Sequence, residues 1–153
     1  MSNEVNQTVS TRNQSTANYQ TKKVFIWDNH YKETTLRNNT GAKHTVVTGQ
    51  LVMRDPQGNQ GTMVIPIVPG AELSANLAKV IGITKLEDSV EMTNGMVMVI
   101  NIGTKGTIDG NALTLPTGVT LNTMVGDKTL GDVLEGIGFH VDTSTVEHTD
   151  FDN

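Results

Sequence analysis

The sequence predicts a mainly β protein, folded as a small β-barrel or β-sandwich. Roughly seven to ten short apolar segments recur along the chain, with turn signals about every eight to twelve residues. Fifteen glycines and many Thr and Asn residues favour strands joined by tight turns. Good helix formers are concentrated only in residues 71–79, enough for one or two helical turns. A chain of 153 residues with these features is most simply one domain.

The first 22 residues predict an extended N-terminal arm. They are mostly Asn, Gln, Ser and Thr with two isolated valines, and they show no apolar periodicity. Such a segment buries too little apolar surface to offset the entropy of ordering it. We therefore expect an interaction arm, held by contacts outside its own domain. Residues 23–40 follow as an aromatic anchor segment, and residues 41–153 form a β-rich body with a polar, acidic C-terminal tail.

Aromatic residues are concentrated just after the arm. The chain has one Trp, two Tyr and three Phe, and half of them lie in residues 25–31. This segment predicts a short strand that ends at residues 28–29. Because Trp and Tyr dominate interface hot spots, a docking anchor is one interpretation; a lid over one end of the domain and a sugar-stacking platform are two others. The candidate capsid or subunit contacts are Arg12, Tyr19, Lys22, Lys23, Phe25, Trp27 and Tyr31.

The next segments predict strands separated by turns. Residues 38–41 form a turn, and residues 45–53 form a strand in which Gly49 marks a bulge or a close backbone approach. Residues 62–68 form another strand. Pro66 cannot donate a hydrogen bond to a neighbouring strand, which places it at an edge or a bend.

Residues 95–103 (GMVMVINIG) predict the central strand of the fold. Apolar residues do not alternate with polar ones over residues 96–100, so we expect both faces to be covered, by a neighbouring sheet or by another subunit. The glycine-rich residues 103–110 predict a hairpin or a short edge strand. Residues 129–134 could begin a helix, but Gly131, Gly136 and Gly138 argue against one. Residues 137–141 predict the last strand.

Polar residues near the C-terminus offer the best candidates for chemistry. His140 and Asp142 share one face of the last predicted strand, and His148, Asp150 and Asp152 follow. A hydrolytic pair or a metal site is one interpretation, and solvated polar residues are the other. A second set, Asp28, His30 and His44, would need the fold to bring it together. Neither set has the spacing of a known motif, so we predict no catalytic residue, no metal, no cofactor and no enzymatic activity.

Charge and composition limit the kinds of partner that the protein is expected to bind. Residues 1–54 carry a net charge of +4 and residues 55–153 carry −9. This asymmetry either steers contacts between copies or reflects scattered solvated charges. No dense Lys/Arg cluster indicates nucleic-acid binding, no apolar run approaches the ~20 residues of a membrane helix, and there is no cysteine. The N-terminus lacks a signal-peptide profile.

Four segments between residues 41 and 141 carry a family resemblance. A Thr-Gly-x-Leu-Val strand stands at residues 48–52, a Gly-Ile pair at residues 82–83, and Leu-x-x-Pro-x-Gly-Val-x-Leu at residues 113–121. Residues 128–134 (KTLGDVL) are followed by Gly-Ile-Gly. In this order, around a glycine-bounded central strand, they resemble the small decoration (head auxiliary, cement) proteins of tailed-bacteriophage capsids.

The resemblance implies a compact β-barrel or β-tulip domain that is made in the host cytoplasm and binds the outer surface of the virion. Its partners would be the major capsid protein and other copies of itself, as a homotrimer. Such proteins stabilise the head non-covalently and catalyse nothing. A phage fibre, attachment or glycan-binding β module is the alternative function, and a hydrolase that uses His140 is the third.

Overall fold

The computed structural model describes residues 23–57 and 63–143. Within these residues the fold is mainly β, as predicted, with ten strands and two short helices. The strands are β1 (Phe25–Arg37), β2 (His44–Val46), β3 (Leu51–Arg54), β4 (Met63–Pro66), β5 (Val80–Lys85), β6 (Val90–Met92), β7 (Val97–Asp109), β8 (Met124–Val125), β9 (Lys128–Thr129) and β10 (Phe139–Asp142). The helices are α1 (Leu73–Leu77) and α2 (Leu130–Ile137), and Gly110–Ala112 forms a 3₁₀ turn.

Six strands form one sheet in the order β1-β4-β3-β5-β7-β10, and β1 also pairs with β7. The pairings therefore run from β1 through β4, β3, β5 and β7 and return to β1. The β1–β4 and β7–β10 pairs are parallel, and the others in this sheet are antiparallel. Two small pairs, β2–β6 and β8–β9, lie outside it. We call the face of the sheet that carries Leu36, Val52 and Ile102 the inner face, and the opposite face the outer face.

The two longest strands, β1 and β7, pair along almost their whole lengths. The predicted end of a strand at residues 28–29 is wrong, because the chain passes through that point as an irregularity. Asp28 has a positive φ of 57°, and the β1–β7 register shifts between Phe25 and Tyr31. Asn29 lies directly against Gly106, which has a φ of 128° and no room for a Cβ atom. Residues 103–109 are accordingly the second half of β7, and Gly110 begins the 3₁₀ turn. The prediction of a hairpin or a short edge strand for residues 103–110 is wrong.

The inner face of the sheet holds one apolar core. Leu36 of β1, Val52 of β3 and Ile102 of β7 are almost fully buried there. The β2–β6 pair contributes Val46 and Met92 to the same core. Alternation along each strand places one set of side chains inward and leaves the next set for the outer face.

A second core covers part of the outer face. Ile83 of β5 packs in it with Phe139 of β10 and residues of α2. The absence of a helix predicted for residues 129–134 is wrong: Leu130, Val133 and Leu134 are buried at positions i, i+3 and i+4 of α2. Burial of this apolar stripe outweighs the helix-breaking tendency of the glycines.

The other strand predictions hold in part. The strand expected over residues 45–53 is divided into β2 and β3, because the backbone turns at Gly49. There the backbone comes close to two neighbours: the Gly49 N–H donates to the Thr84 carbonyl at 3.0 Å, and the Gly49 carbonyl accepts from the Thr114 N–H at 2.9 Å. Pro66 pairs with Val52 of β3 on one side. On the other side, only Met63 and Val64 of β4 pair with β1. Pro66 therefore lies at an edge, where its lack of a backbone N–H costs no hydrogen bond between strands.

Candidate interaction surface

Within the described residues, the N-terminal half of β7 is covered on one face only. The predicted cover by a neighbouring sheet is therefore wrong here, and the alternative, cover by another subunit, stays a prediction. Ile100 is 3% exposed and packs in the inner core, whereas its neighbours Val97 and Val99 are 46% and 63% exposed. The second core covers the outer face only further along the sheet. In this half of β7 both faces carry apolar side chains, but only Ile100 and Ile102 of the inner face belong to a buried core.

The strand register defines the surface around these valines. Asn101 of β7 lies directly opposite Glu33 of β1 on one side and Lys85 of β5 on the other. Directly opposite residues project to the same face of a sheet, so the three side chains form a polar row across three strands. We call the following set the outer strip: Val97, Val99 and Asn101 of β7, Glu33 and Thr35 of β1, and Lys85 of β5.

Phe25, Trp27 and Tyr31 form an aromatic corner beside the outer strip. The Phe25 ring lies so close to Gly103 that no Cβ atom would fit there. Phe25 and Tyr31 meet edge to face, with ring centroids 5.3 Å apart and an interplanar angle of 79°. The Lys85 ammonium nitrogen lies 5.1 Å from the Tyr31 ring centroid, within cation–π range. Partial burial raises the pKa of the Tyr31 hydroxyl.

The three aromatic residues play different parts. Phe25 is half-buried and packs against the second core, as the lid interpretation expected. Tyr31 is 44% exposed and Trp27 is 70% exposed, which leaves both able to contact a partner. Lys23 is exposed at the start of the described chain. Arg12, Tyr19 and Lys22, the remaining predicted contacts, lie outside the described residues.

The end of β1 next to the outer strip is held by an ion pair. The Arg37 Nε donates to Asp55 Oδ2 at 2.8 Å, and the Asp55 side chain is only 1% exposed. Asp55 Oδ1 also accepts from the Gln57 N–H at 2.9 Å. The hydrogen bond from Arg37 lowers the pKa of the Asp55 carboxyl against the opposing effect of burial, and it raises the pKa of Arg37. These contacts fix β1 to the residue that follows β3.

Among the described residues, the candidates for chemistry do not gather into a metal site. His140 is exposed and Asp142 half-buried on β10, and His148, Asp150 and Asp152 lie outside the described residues. Across residues 23–57 and 63–143, no group of three His, Cys, Asp or Glu residues is placed to hold a metal ion. Asp28, His30 and His44 are therefore not such a group. None of the helices in these residues is long and apolar enough to span a membrane.

A groove of about 390 Å³ lies elsewhere, between the β2–β3 connection and the segment after β5. Thr48, Leu86, Glu87, Asp88 and Ser89 are among its lining residues. The Thr48 hydroxyl donates to the Leu86 carbonyl at 2.6 Å and accepts from the Leu86 N–H at 2.9 Å. Its hydroxyl thus serves to tie two segments together, and the lining includes no histidine that could act as a base for Ser89.

Sequence reasoning expected the second face of β7 to be covered, but it missed the polar row that crosses the outer strip. Its signal was Asn101, the one polar residue within the apolar run of β7. Asn101 is exposed and shares its face with Val97 and Val99 by strict alternation. Counting from Asn101 would have marked the odd-numbered residues as outward and the even-numbered residues as inward. Glu33 and Lys85 had no comparable signal, because only the strand register places them beside Asn101.

No protein-family model matches the sequence, and no curated protein matches it significantly.

Proposed function

We propose that this protein is a non-catalytic structural protein of a tailed-phage virion, which binds the outer surface of the capsid and stabilises the head. Its partners are the major capsid protein and other copies of the chain, with the homotrimer implied by the resemblance as the predicted assembly. The support is the resemblance over residues 41–141 together with an exposed aromatic corner on a β-rich body. The N-terminal arm, residues 1–22, is proposed to extend the contact over the capsid.

We also propose that the body is a small barrel, similar to the β-tulip domains of the resembled family. The pairings that lead from β1 through β4, β3, β5 and β7 back to β1 support closure. The inner core supports it as well, since Leu36, Val52 and Ile102 from three of these strands pack against one another. A closed sheet leaves few unpaired edges, which suits a protein that has to avoid aggregation through strand edges before it binds.

The exposure of Trp27 carries the functional proposal. Trp27 is 70% exposed, and a Trp side chain loses little conformational entropy when a partner covers it, because it has only two χ angles. The β1–β7 pairing already holds its backbone. Tyr31 stands on the same strand, and large exposed aromatic residues are the commonest hot spots of protein–protein interfaces. The Lys23 backbone leads from this corner directly to the arm.

Capsid binding tests the proposal. Heads of the phage that encodes the chain, stripped of this protein, are mixed with the full chain, with Trp27→Ala and with a chain that lacks residues 1–22. Occupancy is measured by co-sedimentation and by electron cryo-microscopy. We expect the full chain to bind. Loss of a hot-spot Trp costs about 2 kcal/mol, so Trp27→Ala should weaken binding roughly 30-fold, and removal of the arm should also lower occupancy.

Met124→Ala is the matched control, because Met124 is a large apolar residue that is 57% exposed on β8, away from the aromatic corner. It should bind heads like the unmodified chain. Full occupancy by both the Trp27→Ala chain and the truncated chain would refute the proposed contact.

A glycan-binding or attachment module is the second candidate, and the exposed Trp27 ring is the observation that favours it. Tyr31 is less suited to stacking on a sugar, since Lys85 lies over its ring and Phe25 meets it edge to face. A glycan array separates the two functions. Binding to defined sugars that is lost in Trp27→Ala, without any binding to heads, would favour the attachment module.

A further inference from the structure

The positive and negative charges of the outer strip are placed so that they can pair with those of a second copy. In the row across the sheet, Lys85 lies on one side of Asn101 and Glu33 on the other, each one strand away. Neighbouring strands are about 4.8 Å apart, so the two charges flank β7 at equal distances. Along β7 itself, Val97 and Val99 stand uncharged in the middle.

A two-fold rotation brings the opposite charges of two such strips together. Consider an axis that lies between two copies and runs parallel to β7, so that the two outer strips face each other. The rotation exchanges left and right across β7, which brings each Lys85 over the other copy's Glu33. It also brings Val99 over Val99 and Asn101 over Asn101. The three residues of the polar row and the two valines then each meet a chemically suitable partner, and the charge pair is made twice.

We propose that the outer strip is a self-contact, on which a second copy of this chain packs about a two-fold axis parallel to β7. The two outer faces lie about 10 Å apart with their strands roughly aligned, as in packed β-sheets. The valines exclude water at the centre, and the Lys85–Glu33 pairs set the orientation. This isologous contact joins copies in twos, so it is distinct from both the capsid contact of the aromatic corner and the three-fold assembly that the resemblance implies.

The contact is small, and its strength follows from its size. A standard protein–protein interface uses about 20–30 residues a side, whereas the outer strip has six with a few flanking residues. The dimer should therefore form in a concentration-dependent way in solution. Two copies held side by side on a larger particle would form it more readily, because their effective concentration is higher.

Site-specific crosslinking tests the geometry. The chain has no cysteine, so Asn101→Cys introduces a single thiol on the proposed axis. Two facing sheets about 10 Å apart exceed the reach of a disulfide, about 7 Å between Cα atoms, so a short bis-maleimide is the reagent. We expect a crosslinked dimer from Asn101→Cys, and none from the control Asn122→Cys, which places a thiol at another exposed Asn outside the strip.

Charge reversal tests the pairing. Lys85→Glu and Glu33→Lys each place like charges opposite one another and should raise the dimer dissociation constant about tenfold or more. The double variant restores opposite charges and should recover dimerisation. Sedimentation velocity over a range of protein concentrations, on the full chain, measures these constants. Recovery in the double variant also shows that neither single change acts by unfolding the protein.

Three results would overturn the proposal. The chain could remain a monomer at every concentration, or assemble as a trimer that a Val99→Asp change leaves intact. Asn101→Cys could also crosslink only after removal of residues 1–22, which would identify the arm as the occupant of the strip. None of these results would affect the capsid contact, because the Trp27→Ala experiment measures that contact separately.

Discussion

At the scale of single residues, Asn38 is the most heavily bonded side chain in the described part of the protein. It is fully buried. Its Nδ2 donates to the carbonyls of Ala42 at 2.8 Å and Met92 at 3.0 Å, and its Oδ1 accepts from the Thr40 N–H and hydroxyl at 3.0 and 2.8 Å. The amide thus connects the end of β1 to β6, and both ends of an amide are needed for this.

Asn38→Ala should lower the free energy of unfolding by about 2–4 kcal/mol, because it leaves buried carbonyl and N–H groups without partners. Asn38→Asp should also destabilise the protein at neutral pH, since a carboxylate cannot donate to the Ala42 and Met92 carbonyls. Urea denaturation gives the values. Asn39→Ala is the control, because Asn39 is adjacent and exposed, and it should fall within about 0.5 kcal/mol of the unmodified chain. Equal effects at the two positions would contradict this account of the turn.

At the scale of elements, the two faces of β7 have different roles. Its even-numbered residues Ile100 and Ile102 hold the inner core, and its odd-numbered residues Val97 and Val99 form the centre of the outer strip. Hydrophobicity is the same on both sides, but the energetic consequences differ. An inward residue contributes to folding through packing, whereas an outward residue contributes only when something covers it.

Matched substitutions should separate these roles. Ile100→Thr should cost about 2–4 kcal/mol of unfolding free energy, because it removes buried methyl and methylene groups and buries a hydroxyl in the inner core. Val99→Thr keeps the shape and β-branching of an exposed residue, so the change should be within about 0.5 kcal/mol. Thermal and urea unfolding of dilute protein measure both. A loss of stability in Val99→Thr as large as that in Ile100→Thr would show that the outer face of β7 is buried.

The elements also show what the sequence could and could not predict. The turn at residues 38–41 and the edge position of Pro66 were predicted, because backbone conformation at these residues is a local property. The helix α2 was missed because its stability comes from burying Leu130, Val133 and Leu134, a tertiary effect that outweighs local propensity. The full lengths of β1 and β7 were missed for a similar reason, since each is continued past an irregularity by pairing with the other.

The candidate surface, like the fold, was predicted only in part from the sequence. The aromatic concentration at residues 25–31 is visible in the sequence, and Trp27 is exposed as a docking residue would be. The row of Glu33, Asn101 and Lys85 depends on register across three strands that are far apart in the chain. Register is set by the completed sheet and by which face is buried, so no local pattern in the sequence could reveal this row.

At the scale of the whole molecule, the ion pair of Arg37 and Asp55 ties stability to pH. Arg37 belongs to β1, and Asp55 follows β3. These strands are not neighbours in the sheet, because β4 lies between them. The carboxylate is almost completely buried and accepts two hydrogen bonds. Its protonation would leave the partly exposed Arg37 guanidinium and the Gln57 N–H with a weaker acceptor. Loss of the pair would thus loosen the part of the sheet where the pairings return to β1.

Acid should therefore destabilise the molecule in a defined way. The folded-state pKa of Asp55 is lowered, chiefly by the hydrogen bond from Arg37, so its contribution is complete above the unfolded-state pKa of about 3.9 and is lost as pH falls through the folded-state pKa. Asp55→Asn removes the titrating group and keeps the shape. The difference in unfolding free energy between the two chains should be constant near neutral pH and shrink below about pH 3.9, as followed by urea denaturation at stepped pH. A difference that stays constant into strong acid would show that the Asp55 charge does not contribute to stability, and that the side chain acts through its shape and neutral hydrogen bonds alone.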